Sequence, residues 1–406
     1  MSAYTSKTKR GDRQELKRRL ERNLVLFPWY YGLQMLSFFA PIIVLFFLAN
    51  RISYTQIFIL EAFYGLAIVL CELPTGMLAD KYGRKKSLVI SGVLLLAGVA
   101  VFAQGKGFVD FLIAELLWGI GSSFRSGAEE AMLFDTLKDL RRSTEYKKIM
   151  SKAVSVFYGC GVVSAITGGI IAQHGLRLPF YVACVTYSVM LLLTFLLQEP
   201  SYHKSTTGHI AHILAAIQEA WNKRKIRWLI CYQATLVCAL LILFWMIQPY
   251  LQLVKVPVSL FGVFFAGYYL LGLFASRYAH TIERIIGIRK SLFVMGITLM
   301  LGFFMLGLIP AVISTIWIFL MEMVWGYSIP LMSDYLNRLV ASHQRATILS
   351  VGSFLTRLLF AILGPLFGKI ADTQGIAFTL MVIAGAFFVP FVTLWITFNS
   401  HNDMKT

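Results

Sequence analysis

The chain reads as an all-α integral membrane protein of twelve transmembrane helices in two repeated halves of six. Three observations carry that reading. Hydrophobic residues make up 58% of the 406 positions and charged residues only 14%, too few ionisable groups to cover a soluble globule of this length. Runs of about 20 apolar residues, the length that crosses a bilayer as a helix, can be laid down twelve times. The second half of the chain also echoes the first at a nearly constant offset.

A basic tail, 1–22, precedes the first span. The spans follow near 23–49, 53–78, 87–105, 108–137, 149–173, 176–198, 227–250, 258–281, 289–309, 311–336, 346–371 and 375–397. Such segments are helices, because a backbone facing lipid must satisfy its own hydrogen bonds. The first six make an N-terminal bundle over 23–199 and the last six a C-terminal bundle over 227–398. Between them, 200–226 is the most polar interior stretch, with Pro200, His203, His209, His212 and the run Asn222-Lys223-Arg224-Lys225. Its amphipathic segment at 210–221 predicts a helix lying along the membrane surface. A polar tail occupies 399–406. The first apolar run is too long for a cleavable leader and no small-residue cleavage site follows it. The five cysteines all fall in apolar segments and are odd in number, which argues against a disulfide framework or a metal site.

The net charge of +17 is not spread evenly. Thirty of the 37 Lys and Arg residues fall in the two tails and in the loops at 81–86, 138–152, 204–227, 277–290 and 338–345. These segments alternate with the spans and share one side of the membrane. The positive-inside rule makes that side, with both termini, cytoplasmic, and it removes the need for a nucleic-acid partner to explain the charge. The basic tail can also touch anionic lipid heads.

Three places show the repeat. Gly83-Arg84-Lys85-Lys86-Ser87-Leu88 matches Gly287-Ile288-Arg289-Lys290-Ser291-Leu292, 204 residues on. Glu115, Trp118, Gly119 and Ser126 match Glu322, Trp325, Gly326 and Ser333, 207 residues on. Gly168 and Gly175 match Gly368 and Gly375, 200 residues on. An even number of spans per half keeps the copies in the same orientation.

The segment Gly76-Met77-Leu78-Ala79-Asp80-Lys81-Tyr82-Gly83-Arg84-Lys85-Lys86 lies between the apolar runs 57–73 and 88–102. It predicts a tight charged turn in which the two glycines let the backbone bend. This pattern resembles the signature loop between helices 2 and 3 of the major facilitator superfamily of secondary transporters. The resemblance covers nearly the whole chain. It implies two pseudo-symmetric six-helix bundles that give a midplane site alternating access to the two sides. It further implies that Gly76, Asp80, Gly83, Arg84, Lys85 and Asp135 form a conformational latch. In it Asp80 would cap the positive end of span 11 and Arg84 would pair with Asp135. The chain departs from the drug–proton antiporters of that superfamily at two points. It has Glu115 where they carry an arginine four residues before Gly119. In span 5 it also lacks their Gly-Pro, having Ser164-Ala165 before Gly168-Gly169.

Ionisable side chains inside a span cost about 2.5 to 3.5 kcal/mol each on insertion scales, so each one needs a partner or a task. Span 4 holds the densest set. Glu115, Trp118, Ser122, Arg125 and Glu129 recur at helical spacing on one face, and the resemblance puts span 4 on the central cavity. Arg125 and Glu129 either neutralise each other or exchange a proton as substrate moves. Glu130 points about 100° away toward a neighbouring helix. Glu61, in the middle of span 2, completes the proton-coupling candidates. Tyr30 and Gln34 in span 1 and Gln233 and Trp245 in span 7 supply mixed aromatic and amide groups of the kind that line amphipathic ligand sites. Each is also a common helix-packing residue. Arg357, deep in span 11, either binds an anionic group as a planar two-donor fork or forms an internal salt bridge to Glu322, Asp334 or an acid of the first half.

The sequence therefore predicts a monomeric multi-pass transporter in the cytoplasmic membrane. It is expected to move a small amphipathic molecule by proton-coupled efflux, with no cofactor, metal or nucleic acid. Two alternatives stand beside it: a proton-coupled importer of an organic anion or metal-chelate, and a lipid-handling or sensory protein on the same fold. No G-x-x-x-x-G-K-[ST] loop is present in the sequence, which excludes a built-in ATPase of that kind. The seven histidines form no grouping with an acid and a nucleophile, so no enzyme is expected.

Overall fold

The computed structural model describes residues 2–201, 221–340 and 345–398. The amphipathic segment of the linker and the tail at 399–406 lie almost wholly outside the described residues. Thirteen α-helices and no strands occur among those described. They are α1 (Ser2–Leu33), α2 (Ile43–Ala49), α3 (Tyr54–Tyr82), α4 (Arg84–Gln104), α5 (Phe108–Asp139), α6 (Tyr146–Ala172), α7 (Leu178–Leu196), α8 (Arg224–Leu253), α9 (Phe261–Ile286), α10 (Ile288–Leu308), α11 (Ile316–Leu339), α12 (Arg345–Gln374) and α13 (Ile376–Thr397). Ten of them are long and apolar enough to cross a membrane. The others are α5, diluted by its polar stripe, and α1 and α2, which share the first predicted span. α1 is helical from Ser2 and runs through the basic tail into the first span.

By contact the chain divides into two compact units, one of residues 1–40 and 63–206 and one of 41–62 and 207–406. In the first, α1 packs on α6, and α4 on α5 and α7. In the second, α8 packs on α12, and α10 on α11 and α13. The same three pairings thus recur, as the internal repeat requires. Backbone conformation repeats too. Gly83 and Gly287 have φ of 107° and 75°, and Gly175 and Gly375 have 151° and 82°. Arg51 and Lys255, also 204 apart, share φ of 62° and 61°. Each is followed by a residue whose N–H reaches back into the helix, Ile52 to Phe47 at 3.1 Å and Val256 to Leu251 at 2.9 Å. Nothing in the side chains advertises this last pair.

The first span is not one helix. The chain leaves helical geometry after Leu33 and resumes it at Ile43, so the predicted continuous span 23–49 is corrected. Phe38 takes φ of 59°, a conformation that costs a bulky residue strain, and Pro41 has no N–H to give. Side chains meet the freed backbone groups, as an apolar setting demands. Phe38 N–H donates to Ser164 Oγ at 2.8 Å. Val44 and Leu45 N–H, in the first turn of α2, donate to Gln248 Oε1 at 2.8 and 3.4 Å. Gly168, one turn beyond Ser164, lets α6 pass the break, because a Cβ there would stand 3.0 Å from Phe38 Cα.

The predicted turn over 76–86 is also corrected. α3 stays helical through Tyr82 and α4 starts at Arg84, so a single residue, Gly83, makes the turn. Gly76 sits within α3, with open space where a Cβ would be. The N-terminus of α4 is closed by Glu199, whose carboxylate accepts Arg84 and Lys85 N–H at 2.7 and 2.8 Å. Burial pushes the Glu199 carboxyl above its ordinary value, against the pull of those two N–H groups and of the Arg84 and Lys85 charges. A Cβ on Gly83 would lie 2.8 Å from Glu199 Oε2. Asn23, 2% exposed, ties α1 into the same end of the unit. It donates to Thr136 Oγ1 at 3.1 Å and exchanges two hydrogen bonds with the Gln198 backbone, each 2.8 Å.

In the second unit a stripe on α12 at four-residue spacing receives the start of α3. Phe360 stacks obliquely on Phe58 with ring centres 5.6 Å apart. Cβ atoms on Gly364 or Gly368 would come within 2.8 Å of Phe58 and of the Tyr54–Thr55 backbone. Asp372 caps the helix itself.

Candidate functional site

Helical spacing on α5 sends Glu115, Ser122 and Glu129 inward; they are 4%, 6% and 9% exposed. Glycines set the depth of this helix. A Cβ on Gly119 would lie 2.9 Å from the Tyr64 carbonyl oxygen of α3, and one on Gly121 would lie 3.0 Å from Leu95 Cγ of α4. Trp118, predicted on the same stripe, packs edge-on against Phe39, Phe102 and Tyr187 at 5.4, 5.9 and 5.4 Å between ring centres. Its place is an aromatic cluster.

Glu129 is the centre of the polar cluster. Gln34, just past the end of α1, donates from Nε2 to Glu129 Oε2 at 2.7 Å. Arg125 Nε stands 3.9 Å from the same oxygen, an ion-pair distance too long for a hydrogen bond. Three buried polar atoms here have no hydrogen-bond partner among the described residues: Tyr30 hydroxyl, Ser122 hydroxyl and Arg125 Nε. Tyr30 is fully buried, and Tyr30, Tyr187 and Tyr64 all lie within electrostatic reach of Arg125. Buried polar atoms are normally satisfied, and no described residue satisfies these three.

Glu130 is elsewhere. It is exposed, hydrogen-bonds the Tyr146 hydroxyl, and lines a cleft of about 680 Å³ with Arg84, Phe134, Asp135, Ser143 and Lys147. In this cleft Arg84 bonds Asp80 through one terminal nitrogen, and its Nε is 3.5 Å from Asp135 Oδ2. Lys85 turns away, with its Nζ donating to the Phe195 carbonyl at 2.8 Å. Gly76 abuts Gly127 of α5, where a Cβ would be 3.7 Å from Gly76 Cα. The structure therefore groups Glu130 with the charged-turn residues and Glu129 with Arg125 and Gln34.

Glu61 is half-buried on the part of α3 that groups with the second unit. Trp245 is buried against Phe244 on α8, and Gln233 is half-buried on the same helix. Arg357 forms none of the expected ion pairs among the described residues. Its one described bond is a long one, Nε to Ser353 Oγ at 3.4 Å, one turn away on the same helix. Sequence reasoning passed over the structural roles of Gln248, Glu199 and Asp372. Each caps a helix from a distant part of the chain, and no local pattern marks such a role.

The comparisons agree with this architecture. A model of the Major Facilitator Superfamily matches residues 29–362. The chain is 23% identical over 394 residues to YxaM, an uncharacterized MFS-type transporter of Bacillus subtilis, a match covering 92% of this chain and 95% of the relative. It is 33% identical over 146 residues to multidrug resistance protein MdtL of Shewanella oneidensis, covering 36% of this chain and 35% of that one. In fold it is similar to the crystal structure of the nucleoside transporter NupG, with a TM-score of 0.70 at 15% identity over 95% of this chain and 100% of the other. With its helical repeat, its charged turn and a family match over most of its length, the chain belongs to the Major Facilitator Superfamily of membrane transporters.

Proposed function

We propose that this transporter exports a small amphipathic molecule in exchange for protons, with Glu129 as the group that takes up and releases the proton. The observation that carries this reading is the sharing of one Glu129 oxygen between Gln34 and Arg125, with the unpartnered Tyr30 hydroxyl within electrostatic reach of both Glu129 and Arg125. Protonation of Glu129 removes the charge that holds Arg125 and frees its guanidinium for other partners. Proton occupancy and the shape of the site then change together. Export is supported by the partial likeness to a multidrug resistance protein. The distribution of Lys and Arg puts both termini and the Arg84 cleft at the cytoplasmic face, where the Asp80–Arg84–Asp135 contacts would bias one state of the cycle. Protons and one small molecule are its partners, it works as a monomer, and the family is not one of enzymes.

A second reading, uptake of an organic anion, is favoured by Arg357, which has no acidic partner among the described residues. Flux direction separates the two. In vesicles with an imposed pH gradient, export coupling drives substrate toward the side from which protons leave. Movement with the protons would support uptake, and flux indifferent to the gradient would sink both.

A further inference from the structure

The second unit buries a carboxyl that this reading does not use. Glu322 of α11, the repeat counterpart of Glu115, is 5% exposed. It faces α9, where the Tyr268 hydroxyl hydrogen-bonds it, Tyr269 lies within electrostatic reach, and Gly272 leaves room. A Cβ on Gly272 would stand 3.2 Å from Glu322 Cδ. The other oxygen, Oε2, is buried and has no hydrogen-bond partner among the described residues.

No cation compensates the group among the described residues. The basic residues of α9, Arg277, His280 and Arg284, lie more than a turn beyond Gly272. Those of α10, Arg289 and Lys290, are at its start, whereas the level of Glu322 is given by Gly302, which packs on Met321. Twelve residues of helix separate Lys290 from Gly302, roughly 18 Å. On α8, Arg224, Lys225 and Arg227 occupy the first turn. Of the acids, Glu283 accepts from Tyr335 at 2.7 Å, and Asp334 is twelve residues along α11, also roughly 18 Å away. An ionised carboxylate held by one neutral hydroxyl in an apolar bundle is uncompensated, whereas the neutral acid is not.

We infer that the Glu322–Tyr268 pair is a proton-binding site of the second unit, separate from the Arg125–Glu129 cluster. The proton sits on Oε2, and the opposite oxygen accepts the Tyr268 hydroxyl. When water reaches the pair the proton passes to it, leaving a carboxylate that still holds the tyrosine. Proton binding stands by itself, while its use in transport rests on the proton-coupled reading above.

The full chain in lipid nanodiscs tests this by infrared spectroscopy and by peptide-mapped labelling with dicyclohexylcarbodiimide, which attacks protonated carboxyls. At neutral pH the protein should show a carboxylic-acid carbonyl band that is missing in Glu322→Gln and displaced in Tyr268→Phe. Labelling of Glu322 should fall about tenfold per pH unit once the group titrates. A wild-type spectrum unchanged by either substitution, with no pH-dependent labelling at Glu322, overturns the inference. Loss of the band on adding sodium at fixed pH overturns it in favour of a metal-cation site. If Glu322→Gln does not fold, Tyr268→Phe and labelling of the wild type still decide. Neither readout needs a substrate, so failure of gradient-driven flux with the band intact would fault the transport reading alone.

Discussion

Asp372 caps the first turn of α3 through Thr55. One carboxylate accepts the Tyr54 N–H at 2.9 Å, the Thr55 N–H at 3.0 Å and the Thr55 hydroxyl at 2.6 Å, across more than 300 residues of sequence. An uncapped helix start leaves donors without partners. Asp372→Ala should therefore cost about 1 to 2 kcal/mol. Asp372→Asn, which keeps an acceptor, should cost less. Thermal unfolding in detergent checks the order, and equal midpoints for all three proteins would remove the cap from the account of stability.

The single-residue turn gives a contrast within one motif. Gly76→Ala should fold as well as wild type, since a Cβ there meets open space inside a helix. Gly83→Ala must adopt φ of 107° and press on Glu199, so it should lose about 1 to 3 kcal/mol. Expression and melting temperature of the two variants read the difference.

Asp80→Asn and Arg84→Ala should leave folding near normal and slow transport about tenfold, the effect of a 1.4 kcal/mol change in the balance of two conformations. The contacts they break are the Arg84 ion pairs to Asp80 and Asp135. Wild-type rates in a well-expressed Asp80→Asn protein would dismiss the latch.

Glu129→Gln should abolish gradient-driven accumulation and spare exchange without a gradient. Glu130→Gln should alter rate but keep coupling, because Glu130 shares the Arg84 cleft and not the Gln34 cluster. Paired measurements of accumulation and counterflow in the two variants test the assignment. If both accumulate normally, the proton is carried elsewhere, at Glu61 or Glu322.

Arg357→Ala should be nearly as stable as wild type, since no described acid is left unpaired. Arg357→Lys should weaken substrate binding by about 1.5 kcal/mol or more, the worth of a hydrogen bond to a charged group, because lysine lacks the planar fork. Normal affinity in the lysine variant would place Arg357 outside the substrate site.

The sequence by itself determined the helical spans, the repeat, the membership of a transporter family and the stripe on α5. All of these are written in local composition, in spacing at 3.6 residues per turn or in self-similarity, which need no knowledge of distant neighbours. Hydropathy could not find the break in the first span, because residues 34–42 are nearly as apolar as their flanks and Pro41 is the lone warning. The break stands because Ser164 and Gln248, more than 100 residues away, satisfy the backbone it exposes. The sequence suggests a tight turn bent at two glycines, yet Gly83 alone makes it once Glu199 closes the helix that follows. Adjacent acids parted for a related reason. Glu129 and Glu130 have the same chemistry, and a 100° step around α5 delivers one to Gln34 and the other to Tyr146. Which neighbour each side chain meets is decided by helix packing, and packing depends on contacts that a one-dimensional pattern does not contain.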